Sequence, residues 1–239
     1  MSIPLQFRPD GTFTIAQFTD LHVGGGKAEL DARTLALTEL IIETERPDLA
    51  VYSGDMLYGK ETAEPVATLR RIVEVAERRE VPFAVIFGNH DAEGGATSEE
   101  LLEGIASCRM SLAEAGPADI HGVGNYVIAV KASSLEGPAA LLYLFDSGDM
   151  APASVGGYAW IRPDQVDWYR RESNRLRQRH GAFAKPVLLP HSGPRVQGDL
   201  GIRAGRGHSS GSRMLPSPEQ RVLRRGAGER RYDRRLRRP

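Results

Sequence analysis

Apolar residues recur along the first 190 positions in two alternating rhythms. Short, nearly continuous runs occupy Thr12–Phe18 (TFTIAQF), Asp48–Tyr52 (DLAVY) and Val81–Phe87 (VPFAVIF). Between and after them lie longer stretches with apolar residues at helical spacing. Leu30–Glu45 carries Leu35, Leu37, Leu40, Ile41 and Ile42. Thr62–Arg78 carries Val66, Leu69, Ile72, Val73 and Val75, and Ser98–Ala115 is a third. Continuous apolar runs belong to strands covered on both faces, and strands alternating with helices belong to βαβ units with a parallel core sheet. The rhythm then changes. Asn125–Lys131 (NYVIAVK) and Ala139–Phe145 (AALLYLF), joined by a short Ser/Gly-containing loop, predict a hairpin. Pro163–Arg179 opens on Pro-Asp and predicts a helix; Phe183–Leu189 is read as a further strand.

From Pro190 the periodicity ends, and charge changes the picture. The formal net charge is +0. It hides a balance of −9 over residues 1–194 and +9 over residues 195–239, which hold 13 Arg, no Lys and 4 acids. The expected organisation is one folded domain over 1–189 and an Arg/Gly/Pro-rich tail, 190–239, without a packed core. The tail has one aromatic residue, Tyr232, and therefore lacks the interleaved rings of a nucleic-acid-binding segment. A composition of 41% hydrophobic and 26% charged residues fits a globular protein. No apolar run approaches the ~20 residues of a membrane span, and no signal peptide is visible. A single cysteine, Cys108, excludes an internal disulfide and a multi-cysteine metal site. These features predict a cytoplasmic protein with no membrane partner.

Three polar clusters follow the first three strands: Asp20-Leu21-His22, Gly54-Asp55 and Gly88-Asn89-His90-Asp91. In a parallel sheet all three lie at the carboxyl edge, where open α/β sheets bind ligands. Mixed oxygen and imidazole donors suit Mn, Fe or Zn better than Ca, which takes oxygen alone. A carboxylate such as Asp55 has two oxygens and can bridge two ions. Two ions roughly 3.5–4 Å apart can orient a hydroxide for in-line attack at phosphorus. His90 could protonate the leaving oxygen or stabilise charge on the phosphoryl oxygens. The Gly24-Gly25-Gly26 run lacks the spacing of a phosphate-binding loop and is read as a flexible loop. Asp146 and Asp149 (FDSGD) are read as a structural turn, Trp160, Trp168 and Tyr169 as core or groove residues, and Cys108 as an inert buried thiol.

The words TDLHVGG, YSGDMLYG, VIFGNHD and LYLFDSGD, followed by Y-x-W-I-x-P-D-Q-V-x-W, resemble the calcineurin-like metallophosphoesterase superfamily, in its purple-acid-phosphatase-related branch. The resemblance covers about residues 12–189. It implies an α/β fold built as a β-sandwich flanked by helices, and two divalent ions. It places Asp20 and His22 on one ion, Asp55 as the bridge, Asn89 on the second ion and His90 beside the leaving group. The family also uses a later lone His and a final G-H-x-H. Neither is present as a motif: His191 stands in LPHSGP and His208 in RGHSS. The fold is therefore expected to be incomplete at its C-terminus.

The tail is compatible with a shifted reading frame. Read one base later with permitted codons, Leu189–Gly198 becomes F-H-I-P-V-P-E-Y-R-E, which contains the missing lone His. Glu219–Pro239 becomes N-S-G-F-F-A-A-V-L-E-S-G-D-T-I-G-V-F-V-G-H, which resembles the family's N-S-G-x-F stretch and ends on the G-H of the final motif. A one-base shift near residue 189 also accounts for a Lys-free, Arg-rich tail. The expected function is a dimetal phosphoesterase hydrolysing phosphomono- or diesters by metal-activated hydroxide, impaired by the loss of C-terminal His ligands. The alternative is an inactive metal-binding remnant or a basic-tailed nucleic-acid-binding protein.

Overall fold

The computed structural model describes residues 3–133, residues 137–181 and the backbone of Val187–Leu188. Over these residues the order is β1 (Leu5–Gln6), β2 (Ile15–Phe18), α1 (Ala28–Glu45), β3 (Leu49–Ser53), α2 (Pro65–Arg78), β4 (Phe83–Ile86), α3 (Ser98–Ile105), β5 (Tyr126–Lys131), β6 (Pro138–Leu144), α4 (Pro163–His180) and β7 (Val187–Leu188). The expectations for the tail, His191 and His208 lie outside the described residues. None of the described helices is long and apolar enough to cross a membrane.

The strands form two sheets. One is fully parallel, in the order β2-β3-β4, as the βαβ pattern predicts. The other runs β1-β5-β6-β7 and contains the predicted antiparallel hairpin, with Tyr126 opposite Leu144 and Ile128 opposite Leu142. Alternation along the strands shows how the sheets meet. Leu49, Val51, Ala84 and Ile86 share one buried cluster with Ile128, Val130, Leu142 and Leu144. Their neighbours Ala50, Tyr52, Phe83 and Val85 face the other way, into a cluster with Ile42 of α1, Leu69 and Ile72 of α2 and Leu101 of α3. The outer face of the second sheet, Leu141 and Tyr143, packs with Trp168 of α4. The result is helices, sheet, sheet, helix: the sandwich flanked by helices that the resemblance implies. The Trp168 and Tyr169 expectation holds, since both pack against this face.

Two expectations are corrected. The helix predicted over Ser98–Ala115 ends at Ile105. Residues 110–112 instead run along the outer edge of β4, where Phe83 N–H donates to Met110 O (2.9 Å) and Leu112 N–H to Phe83 O (2.8 Å). Unpaired groups on a sheet edge outweigh the helical spacing of the next segment. The remaining edge groups, at Val85, are taken by the Tyr126 hydroxyl, which accepts from Val85 N–H (3.1 Å) and donates to its carbonyl (2.9 Å). In α1 the buried stripe is Asp31, Thr38 and Ile42, flanked by half-buried Leu35 and Ile41, whereas Leu37 and Leu40 are exposed. Leu37 stands two residues from Leu35, about 200° around a helix of 3.6 residues per turn, so it cannot share that face.

Candidate functional site

β2, β3 and β4 are parallel neighbours in one sheet, so the loops that leave them emerge at the same edge. Two of these loops continue side by side beyond the sheet. Asp20 N–H donates to Gly54 O (3.1 Å), His22 N–H to Asp55 O (3.1 Å) and Val23 N–H to Met56 O (2.9 Å). This extension fixes Asp20 and His22 against Asp55. One donor atom from each of Asp20, His22 and Asp55 lies within 4.8 Å of the other two, a group that could hold a metal ion. Asp55 is buried, while His22 and Asp20 are half-exposed.

The backbone here is strained. Five described non-glycine residues have left-handed backbone. Arg46 and Glu80 lie at helix ends; the other three are Asp20 (φ 56°), His22 (φ 47°) and Asp55 (φ 53°). Left-handed backbone costs a non-glycine residue on the order of 1 kcal/mol or more, and such conformations concentrate at functional sites.

The third loop closes on Asp55. A Cβ on Gly88 would stand 2.2 Å from Asp55 Oδ1, so only glycine fits there. His90 N–H donates to the same Oδ1 at 3.1 Å. Asn89, between them, is 2% exposed, and its Nδ2 has no hydrogen-bond partner among the described residues. The two ends of an amide are assigned from their partners, so a half-turn offers an oxygen at this position, as a cation would require. The three loops therefore meet at one edge, and Asp20, His22 and Asp55 form a donor group of the kind a divalent ion takes.

Four further residues contribute to the site. Asp91, the last residue of G-N-H-D, is wholly buried and clasps two loops. It accepts from Gly88 N–H (2.7 Å), Asp55 N–H (3.0 Å) and Leu57 N–H (2.9 Å). Burial pushes its carboxyl up to about 7, against the pull of those bonds and with the help of the Asp55 charge. Glu93 Oε2 lies 2.8 Å from His90 Nδ1. Burial opposes a charged His90, but the Glu93 hydrogen bond and the carboxylates of Asp55, Glu93 and Asp91 outweigh it, so its pKa lies above the usual histidine value. Tyr58 and Tyr158 stand beside the histidines. The ring centroids are 5.9 Å apart for His22–Tyr58, 5.4 Å for His22–His90 and 5.8 Å for His90–Tyr158. The i to i+3 spacing of His90 and Glu93 was visible in sequence; the approach of Tyr158 was not.

Asp146, read as part of a turn, is one. It accepts from Val123 N–H (2.8 Å) and Gly148 N–H (2.7 Å). Cys108 is half-buried rather than buried. The glycine run is a shaped turn, with Gly24 N–H donating to Asp31 (3.1 Å) and Gly25 lying under the Tyr58 ring.

Residues 13–111 match the model of the family described as calcineurin-like phosphoesterase. The chain is 29% identical over 204 residues to "Probable inactive purple acid phosphatase 29" of Arabidopsis thaliana, covering 76% of this chain and 52% of that one. It is 32% identical over 207 residues to "Probable inactive purple acid phosphatase 14" of the same plant, again over 76% and 52%. With "Phosphatase DCR2" of Saccharomyces cerevisiae it shares 32% identity over 183 residues, 67% of this chain and 31% of the relative. The chain thus spans about half the length of the two plant proteins.

Proposed function

We propose that the chain, whose residues 13–111 belong to the calcineurin-like phosphoesterase family, is a metal-dependent hydrolase of phosphomono- or diesters, weakened by the lack of C-terminal histidine ligands. The observation that carries this reading is the gathering of Asp20, His22 and Asp55 on strained backbone at one sheet edge. Asp20 and His22 would hold one ion, Asp55 would reach both and Asn89 would serve the second. When bound, two divalent ions such as Mn, Fe or Zn would supply positive charge to the phosphoryl oxygens and acidify water. The chain's own residues do the remainder. His90 and His22 border one cleft. His90 Nδ1 is engaged by Glu93, so Nε2 is the nitrogen available to carry a proton to a departing oxygen.

A second reading is a metal-binding chain that does not turn over. Two relatives are named as inactive, and G-H-x-H is absent from this sequence. Mn²⁺ titration with hydrolysis of phenyl phosphate, whose leaving oxygen is basic enough to need a proton, separates the readings. The hydrolase reading expects Mn²⁺ binding that Asp55→Ala removes, and slow hydrolysis that His90→Ala lowers about 100-fold, the scale of a lost general acid. Binding of Mn²⁺ with wild-type hydrolysis no faster than that of His90→Ala selects the second reading. Failure to bind Mn²⁺ at all overturns both.

A further inference from the structure

A cleft of about 590 Å³ opens over His22 and His90. That lies inside the ~300–1,000 Å³ range of small-molecule sites, with room for an organic group beyond a phosphoryl group. Its walls include Tyr58 and Tyr158, which are 41% and 46% exposed, an uncommon state for two large rings beside one cleft. We propose that this cleft takes phosphomonoesters bearing a planar aromatic group, nucleoside monophosphates among them, with the aromatic group stacked on Tyr58 or Tyr158 and the phosphoryl group at Asp20, His22 and Asp55. The proposal rests on the phosphoesterase reading and adds the substrate class.

The backbone that carries both rings is held in place before any ligand arrives. Tyr58 N–H donates to Val23 O (3.0 Å) and to Thr62 Oγ1 (3.2 Å). Its ring lies so close to Gly25 that a Cβ there would stand 2.6 Å from Tyr58 Cγ. A glycine is thus required beneath the ring. Tyr158 sits on an arm closed like a short hairpin, with Ala151 N–H donating to Gly157 O (2.9 Å), Ala159 N–H to Asp149 O (3.1 Å) and Met150 bridged to Tyr158. Backbone fixed in this way lets the rings meet a ligand with little loss of main-chain freedom. A base stacks on an aromatic side chain with little regard to its identity, so the surface recognises planarity.

Charge restricts the class further. Lys60 is the one Lys or Arg among the described residues bordering the cleft, where Glu61 and Glu93 also stand. Asp20 and Asp55 stand with His22, which lines the cleft. Polyphosphates and nucleic-acid strands would carry their additional negative charges past these carboxylates. A monoester places its single phosphoryl group on the cation site and leaves an uncharged ring outside.

The test is calorimetric titration of the full chain with Mn²⁺ present, using adenosine 5′-monophosphate, ribose 5-phosphate and inorganic phosphate. The first two share the same phosphoryl ester and differ by the base. We expect the adenosine ester to bind about 10-fold more tightly than ribose 5-phosphate, the scale of one base–aromatic stack. Tyr58→Phe and Tyr158→Phe should keep that ratio. Combined Tyr58→Ala and Tyr158→Ala should bring it near one; the rings are partly exposed, so this change spares the core. Equal affinities in the wild-type chain overturn the aromatic assignment and leave the phosphoesterase reading standing. No binding of any of the three, inorganic phosphate included, overturns both.

Discussion

At the scale of single residues, the site depends on a side chain that touches no substrate. Asp91 gathers N–H groups from the turns after β3 and β4, and one of them belongs to Asp55. Asparagine in its place has one oxygen for three donors and turns an NH₂ toward at least one of them. A buried N–H left without an acceptor costs about 1–3 kcal/mol. Asp91→Asn should therefore lower the unfolding free energy by about that amount, measured by urea titration. It should also weaken Mn²⁺ binding by about 10-fold or more, as losses behind a ligand do, measured by calorimetry. Full metal affinity in a destabilised variant would mean that Asp91 supports the fold and not the site. The sequence shows why this role was hidden while the proposed ligands were not. Asp20, His22, Asp55 and Asn89 each sit at the end of an apolar run, so strand order alone brings them to one edge. A clasp between turns depends on how closely those turns approach, and no periodicity records that distance.

At the scale of elements, periodicity was informative wherever one face of a segment is buried. All three helical stretches before residue 120 contain a helix, and the hairpin of β5 and β6 pairs as expected. The errors fall where tertiary demand overrides local spacing, as in residues 110–112 beside β4 and the outward-facing Leu37 and Leu40. Helix α3 shows what a short helix requires. It spans 8 residues and begins with a reciprocal cap: Thr97 Oγ1 accepts from Glu100 N–H (3.2 Å), and Glu100 Oε2 accepts from Thr97 N–H (2.8 Å). Thr97→Ala should cost about 1 kcal/mol, visible as a fall of roughly 2–4 °C in Tm. The junction of α4 with the hairpin adds a pH dependence. Gln165 of α4, wholly buried, donates to Asn125 Oδ1 (2.7 Å) and to Asp146 O. Burial raises the Asp146 carboxyl above 3.8, outweighing its backbone hydrogen bonds. A carboxyl with a raised folded pKa favours folding most while it is protonated in the folded state. That contribution is complete below the unfolded value and lost as pH rises through the folded one. The stability of the wild type relative to Asp146→Asn should thus shrink from about pH 4 upward. Parallel urea titrations at several pH values check this, and a constant difference would refute it.

At the scale of the whole molecule, charge and apolar periodicity change together along the sequence. The balance of −9 before residue 195 and +9 after it divides the chain close to where its apolar periodicity ends. The described portion gathers Asp20, His22, Asp55 and Asn89 around one sheet edge. On the proposed assignment, and among the described residues, Asp20 and His22 would give the first cation two ligands besides Asp55, whereas the second would have Asn89 and a share of Asp55. An ion with so few protein ligands should be held weakly, because transition-metal sites ordinarily draw three or four donors from the protein. We therefore expect equilibrium dialysis against Mn²⁺ to find one tightly held ion per chain and a second held at least about 10-fold more weakly. The shifted reading from residue 189 offers a direct counterpart. A chain rebuilt to continue F-H-I-P-V-P-E-Y-R-E regains an imidazole where the resemblance expects one, and carried through to a complete G-H-x-H it regains the others. That chain should hold two ions with similar strength and hydrolyse p-nitrophenyl phosphate faster. Two equally tight ions on the chain as it stands would show that Asp20, His22, Asp55 and Asn89 suffice, and the shifted frame would then be unnecessary to the chemistry.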